Sequence, residues 1–283
     1  MIDYKGTLYA HLAKYKTERL GIPQQGAWTD RKGEIHYYDH ILPDGLEYLN
    51  LLESIRAEMR AYLAANPGIK LHKDFKHLNS SQAFAFNLFF PYFTGGVASA
   101  TALGKALGLD MDVASEGWQF EEVQDENTNV DVVWHSQAGQ KVFCEVKLSE
   151  AEFGKATDDP THRDKLRDIY QPRLEGLVSP DLLEPATFFA HYQLLRNVSL
   201  LHANANSHLV ILFPRANAAL FPQLKRVLAG INTDHRHRIH VAHVEDAIDA
   251  LCACETLAPE LRAHVSALKE KYVPNSAGQS LEN

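Results

Sequence analysis

A stretch of strictly patterned residues from Asn129 to Glu150, N-V-D-V-V-W-H-S-Q-A-G-Q-K-V-F-C-E-V-K-L-S-E, leaves this chain the least conformational choice. Two β-rich runs, Val130 to Trp134 and Lys141 to Leu148, flank a polar patch from His135 to Gln140 that contains Gly139, the local signature of a hairpin. A three-residue loop centred on Ala138, with Gly139 as its left-handed residue, places Asp131 opposite Glu145. Strand side chains alternate with period two, so Glu145 and Lys147 share a face and Val146 points away. Two carboxylates and a lysine are thereby gathered at one end of the hairpin.

That grouping has a chemical reading. Neighbouring carboxylates repel, and they keep their charge at neutral pH best by sharing a hard divalent cation; Mg²⁺ suits one or two carboxylates plus water and phosphate oxygens, and Mn²⁺ is expected to substitute. A lysine beside such a cation can orient an attacking water or steady charge on a phosphate, an arrangement suited to phosphodiester hydrolysis. The plainer alternative is a set of cross-strand charges on a solvated sheet face.

The flanking sequence weighs against that alternative. Asp131, Glu145 and Lys147, with thirteen residues between the first two, resemble the D…E-x-K core of the PD-(D/E)XK nuclease superfamily, the restriction-endonuclease-like fold. S-S-Q-A-F-A-F-N-L-F at 80 to 89, E-V-K-L-S-E-A-E-F-G at 145 to 154 and Y-Q-L-L-R-N at 192 to 197 resemble one bacterial family of restriction-endonuclease-related proteins. The resemblance spans roughly residues 75 to 250, with Val130 standing where the superfamily's name has proline. It implies a third acidic metal ligand upstream of Asp131, for which Glu122 is favoured over Glu121. It also implies a role for Gln193 in positioning water or substrate. The spacing Q-x-x-x-N departs from the Q-x-x-x-Y of the exonuclease branch, which argues for an endonuclease.

Composition sets bounds. A chain of 283 residues, 45% hydrophobic and 23% charged, is ordinary for a globular protein. No apolar run is long enough for a membrane span and the first residues lack a signal peptide's apolar core, so the expected location is the cytoplasm. Cys144, Cys252 and Cys254 make no disulfide framework. A net charge of −8 argues against a generic polyanion binder, although a local basic stripe can still hold phosphates.

Along the chain, residues 1 to 40 read as irregular, and a helix follows from Pro43 to Asn66. Ser80 and Ser81 cap an apolar helix that Pro91 is expected to stop; its Gln82 and Asn87 are expected beside the active site. Val97 to Leu109 reads as a helix and Trp118 to Val123 as a strand. The charged run Lys155 to Arg173, interrupted by Pro160, reads as solvated surface. Thr187 to Ala203 reads as one helix with Gln193, Arg196 and Asn197 on one face. His208 to Phe213, Asn217 to Leu228, Arg238 to Val244 and Asp246 to Cys254 alternate strand and helix, which adds a parallel pair of strands to the hairpin. The histidines at 235, 237, 240 and 243 lack structural zinc spacing.

The expected fold is therefore an α/β protein, a restriction-endonuclease-like α/β/α sandwich with a central mixed sheet and an α-helical N-terminal extension. The expected organisation is an extension over 1–75, a nuclease core over 76–270 and a disordered tail over 271–283. The expected activity is that of a Mg²⁺-dependent endonuclease with Asp131, Glu145, Lys147 and Gln193 catalytic and Asp131, Glu145 and Glu122 holding the metal. Its expected partner is nucleic acid, DNA ahead of RNA, with no membrane partner and a homodimer compatible with duplex cutting. The alternative is a catalytically idle module of the same fold that binds nucleic acid or a protein.

Overall fold

The computed structural model describes residues 3–124 and 128–274, so most of the expected tail lies outside the described residues. The chain divides into two compact units, Met1–Pro91 with Ile248–Asn283, and Tyr92–Ala247.

In the first unit, the segment expected to be irregular is ordered. Tyr4–Leu20 is a helix ended by Gly21 in the left-handed conformation, with φ 68°. It buries only Leu8, Leu12 and Lys16. So narrow an i, i+4, i+8 stripe carries a weak sequence signal, which is why it escapes a periodicity reading. A two-stranded antiparallel ribbon follows, β1 (Gly26–Thr29) and β2 (Ile35–Tyr38). The next expected helix is present as a 3₁₀ turn, Glu47–Asn50, and a helix, Glu53–Ala65, that buries Ile55, Met59 and Leu63.

Pro91 does not stop its helix, which runs Ser81–Thr94. Proline in a helix interior leaves the carbonyl four residues back without its usual donor. Here that carbonyl belongs to Asn87, and His264 Nε2 donates to it at 2.7 Å. Gln82 and Asn87 are satisfied by backbone rather than placed for chemistry. Gln82 accepts from His72 N and donates to Lys70 O, and Asn87 accepts from Leu52 N and donates to Asn50 O and to the Tyr272 hydroxyl.

The second unit is built on a mixed sheet of five strands in the order β3 (Gln119–Val123), β4 (Asn129–His135), β5 (Lys141–Val146), β6 (His208–Phe213) and β7 (Ile239–His243). The first three are antiparallel and the last three parallel. Gly139 has φ 79°, Ser136 N donates to Gln140 O at 2.8 Å, and His135 pairs with Lys141, so the loop is Gln137, Ala138 and Gly139. The parallel strand β6 is apolar and buried from Leu209 to Phe213, as a strand covered on both faces must be. The sheet flanked by helices is a restriction-endonuclease-like α/β fold.

Two helical segments depart from expectation. Pro160 begins a helix rather than interrupting a surface run: Asp159 accepts from His162 N at 2.9 Å, and the chain continues through a π-helical turn, Leu166–Tyr170, to Leu174. Buried Leu166, Tyr170 and Leu174 anchor this segment, while ion pairs such as Arg163 with Asp158 stay exposed. The stretch expected as one helix over 187–203 is broken at His191 into Pro185–Ala190 and Tyr192–Ser199, followed by a 3₁₀ turn.

Candidate active site

The register of the central hairpin pairs Val132 with Cys144. One step further puts Asp131 opposite Glu145. On the other side of β4, Phe120 pairs with Val132 and Glu122 with Val130, which brackets Glu121 opposite Asp131. Three carboxylates, on Glu121, Asp131 and Glu145, thus stand in one row across β3, β4 and β5.

Glu122, expected as the upstream acidic residue, is not in that row. Its carboxylate pairs with Lys141 Nζ at 2.7 Å. Glu121 takes the place because the register of β3 on β4 sets it opposite Asp131, where paired side chains share a face; its φ is 53°, a left-handed value rare for a residue other than glycine. The side chain is buried and accepts from Asn129 Nδ2 at 3.2 Å. Alternation separates Glu121 from Glu122, and the pairing of β3 with β4 decides which of them meets Asp131.

Glu145 is the hub. Its side chain is 2% exposed and that of Lys147 12%, with Lys147 Nζ 2.8 Å from Glu145 Oε1. Gln193 Nε2 donates to the same oxygen at 2.6 Å, and Asn197 Nδ2 donates to Oε2 at 2.7 Å. Gln193 and Asn197 are one turn apart on the helix Tyr192–Ser199, so both reach one carboxylate. Arg196, on the same helix, turns instead to Asn197 Oδ1 at 3.4 Å. Asn197 was absent from the expected catalytic set although its position four residues after Gln193 was readable.

Asp131 Oδ2 accepts from Val146 N at 2.7 Å. Burial, then the repulsion of Glu145 and Glu121, push the Asp131 carboxyl well above the usual carboxylate range, against the opposing pull of Lys147. For Lys147, burial would lower the ammonium's pKa, but Glu145, Glu150 and Asp131 outweigh it and hold the group cationic above its ordinary value. The buried Cys144 thiol, raised first by burial and then by Asp131 and Glu145, is inert as a nucleophile.

The loop after Lys147 is stapled from both sides. Glu150 Oε2 accepts from Leu148 N and Ser149 N, Asn217 Nδ2 donates to Glu150 O, and Gln223 bridges Phe153 N to Ala190 O. Gly154 O accepts from Gln193 N at 3.1 Å. The E-V-K-L-S-E-A-E-F-G motif therefore builds the floor on which Gln193 rests.

The chain matches, over residues 9–273, a protein family described as Restriction Endonuclease associating with ARP. The chain belongs to this family. No curated protein and no solved structure matches it. The family match takes in residues of both compact units, including the ribbon and the N-terminal helix from residue 9 onward.

A divalent cation suits these residues. Each carboxylate oxygen offers two acceptor sites, and Glu145 uses three of its four on Lys147, Gln193 and Asn197, with Asp131 opposite it across the sheet. Burial, then the neighbouring Glu145 and Glu121 carboxylates, raise the Asp131 carboxyl, and a bound cation would offset that repulsion. Among the described residues, neither the three carboxylates of the row nor the histidines at 235–243 bring three ligand atoms within 4.8 Å of one another. His240 Nε2 bonds His208 Nδ1 at 3.1 Å, and the described His, Cys, Asp and Glu ligand atoms that lie within 4.8 Å of one another are those of Asp30, Glu34 and His36, in the turn of the ribbon. Among the described residues, no helix is long and apolar enough to cross a membrane.

Proposed function

We propose that the protein is a Mg²⁺-dependent endonuclease that hydrolyses phosphodiester bonds in DNA. The observation that carries this reading is the row of Glu121, Asp131 and Glu145 beside the buried ammonium of Lys147. Asp131 and Glu145 would hold the cation, and Glu121 stands in the same row in place of Glu122. When bound, the cation supplies charge neutralisation at the phosphate and a more acidic water.

The chain's own residues do the rest. Gln193 and Asn197 fix the plane of the Glu145 carboxylate, so that the acceptor left over points in one direction. Lys147, kept protonated by its carboxylate neighbours, donates to the attacking water and steadies charge on the phosphate. Glu150 holds the strand end that carries Lys147. A cytoplasmic location accords with three unpaired cysteines, and two copies placed on one duplex accord with cutting both strands.

One observation favours the idle module: Lys147 is already spent on Glu145, so the site is internally satisfied. The deciding experiment incubates the purified protein with plasmid, linear duplex, single-stranded DNA and RNA, with Mg²⁺, Mn²⁺ or EDTA, beside Lys147→Ala. Cleavage of DNA that needs metal and Lys147 is expected. Metal-independent cleavage would overturn the cation mechanism, and no cleavage with any substrate would move the assignment to a binding module.

A further inference from the structure

The ribbon of the first unit carries its rings on one face. Trp28 pairs with His36 and Gly26 with Tyr38, so Trp28, His36 and Tyr38 point the same way. The ring series continues into the body of the unit: Trp28 to Tyr38 at 6.4 Å between centroids, Tyr38 to His40 at 5.6 Å, and His40 stacked on Tyr9 at 3.9 Å and 19°. These rings line a cavity of about 320 Å³.

A two-stranded ribbon is marginal by itself and needs anchors. Here it has two. The buried Lys16 ammonium donates to Gln24 O at 2.6 Å and to Ile41 O at 2.9 Å, tying the segments on either side of the ribbon together. Gly26 lets the ribbon lie against the backbone of 41–42, where an added Cβ would meet Leu42 O at 2.4 Å. The aromatic face is thus preorganised.

We propose that this cradle, formed by Trp28, Tyr38 and the Tyr9–His40 stack, binds a nucleobase as part of a nucleotide. The rings pack on one another at 3.9 to 6.4 Å between centroids, and the aromatic wall they give the cavity favours a flat aromatic ligand over an aliphatic one. The cavity's edge is polar in a way a base edge can use. Asp74 offers a carboxylate acceptor, and His77 Nε2 is buried with no hydrogen-bond partner, Asp74 Oδ1 standing 3.7 Å away and too far to bond it. Lys5 at the rim, 5.6 Å from the Tyr9 ring centroid, supplies a cation for the attached phosphate. The same lysine disfavours the other natural guest of an aromatic cage, a quaternary ammonium. Burial, then His77 and Lys16, hold His40 at about 4, so its ring is neutral at physiological pH and stacks without adding charge.

This site does not rest on the proposed cation centre, and its test is made without metal. Wild-type protein in EDTA is titrated by calorimetry with AMP, GMP, CMP and UMP, with ribose 5-phosphate as the guest lacking a base and tetramethylammonium as the cationic guest. At least one nucleotide should bind and ribose 5-phosphate should not. Trp28→Ala should weaken binding roughly tenfold or more, in line with the loss of one stacking partner, while Trp28→Phe retains most of it. Tyr38→Ala, at a side chain more than a third exposed, should weaken binding even if Trp28→Ala fails to fold. Asp131→Ala should bind as wild type does, whether or not the protein is a nuclease. Absence of nucleotide binding, binding indifferent to both ring variants, or binding of tetramethylammonium instead would each overturn the proposal.

Discussion

Gln193 donates to Glu145 Oε1 at 2.6 Å, and the side chain that does so rests against a position that has none. An added Cβ at Gly154 would stand 3.0 Å from Gln193 Oε1 and 3.5 Å from its Cβ. Gly154→Ala should therefore push the Gln193 amide off the carboxylate and lower DNA cleavage roughly tenfold, as Gln193→Ala should. Because both act through one contact, the double variant should be no slower than either single one. Additive losses in single-turnover rates would show that Gly154 serves something else.

The two acidic residues should differ in stability. Glu145→Ala leaves buried Asn197 and half-buried Lys147 and Gln193 without their shared acceptor, which costs about 1 to 3 kcal/mol for the buried amide and less for the other two. Its melting temperature should fall sharply. Asp131→Asn removes a repelling charge and keeps the shape, so its melting temperature should hold or rise. Equal melting of both variants would contradict the hub assigned to Glu145.

Metal linkage addresses the cation site directly. A ligand that binds only the folded state adds roughly 2.7 kcal/mol at about a hundred times its dissociation constant. Wild type should melt higher with Mg²⁺ and higher still with Mn²⁺, and the rise should vanish in Asp131→Ala. A rise that survives in that variant would place the cation elsewhere.

His240 should make the second unit sensitive to acid. Burial, then His208 and Arg236, lower its pKa from 6.5 to about 4. The unfolded chain then takes up the proton first, so this contribution is fully present above about pH 6.5 and is lost as pH falls towards 4. Between pH 7.5 and 5 the unfolding free energy should drop by about 1 to 2 kcal/mol from this group, and His240→Asn should flatten that part of the profile in urea titrations. An identical profile in the variant would remove His240 from the explanation.

Pro91 and His264 form a matched pair through the Asn87 carbonyl. His264 Nδ1 accepts from Ser54 Oγ at 2.7 Å, which leaves Nε2 as the donor to Asn87 O. His264→Ala should lower stability by about 1 to 3 kcal/mol. Adding Pro91→Ala restores a backbone N–H four residues on and should recover part of that loss. Failure of the second substitution to help would show that His264 matters for packing rather than for the orphaned carbonyl.

Local pattern and loop chemistry alone determined the hairpin, its register and the pairing of Asp131 with Glu145, because a period of two and one left-handed glycine leave few alternatives. The parallel strands β6 and β7 were legible for a similar reason, β6 as a short apolar run and β7 as a β-branched stretch alternating with histidine, each next to a helix. Tertiary structure decided which glutamate joins the row, since only the pairing of β3 with β4 sets Glu121 rather than Glu122 opposite Asp131. It also decided the roles of Gln82 and Asn87, whose amides could have served chemistry but are taken by backbone distant in sequence. Only the folded chain shows that Pro91 can sit inside a helix, because the donor that replaces its missing N–H comes from residue 264. The return of the C-terminal helices to the N-terminal unit is decided in the same way: the helix Pro259–Tyr272 buries Val265, Leu268 and Tyr272, and Tyr272 reaches Asn87 across 185 positions of sequence that no local pattern connects.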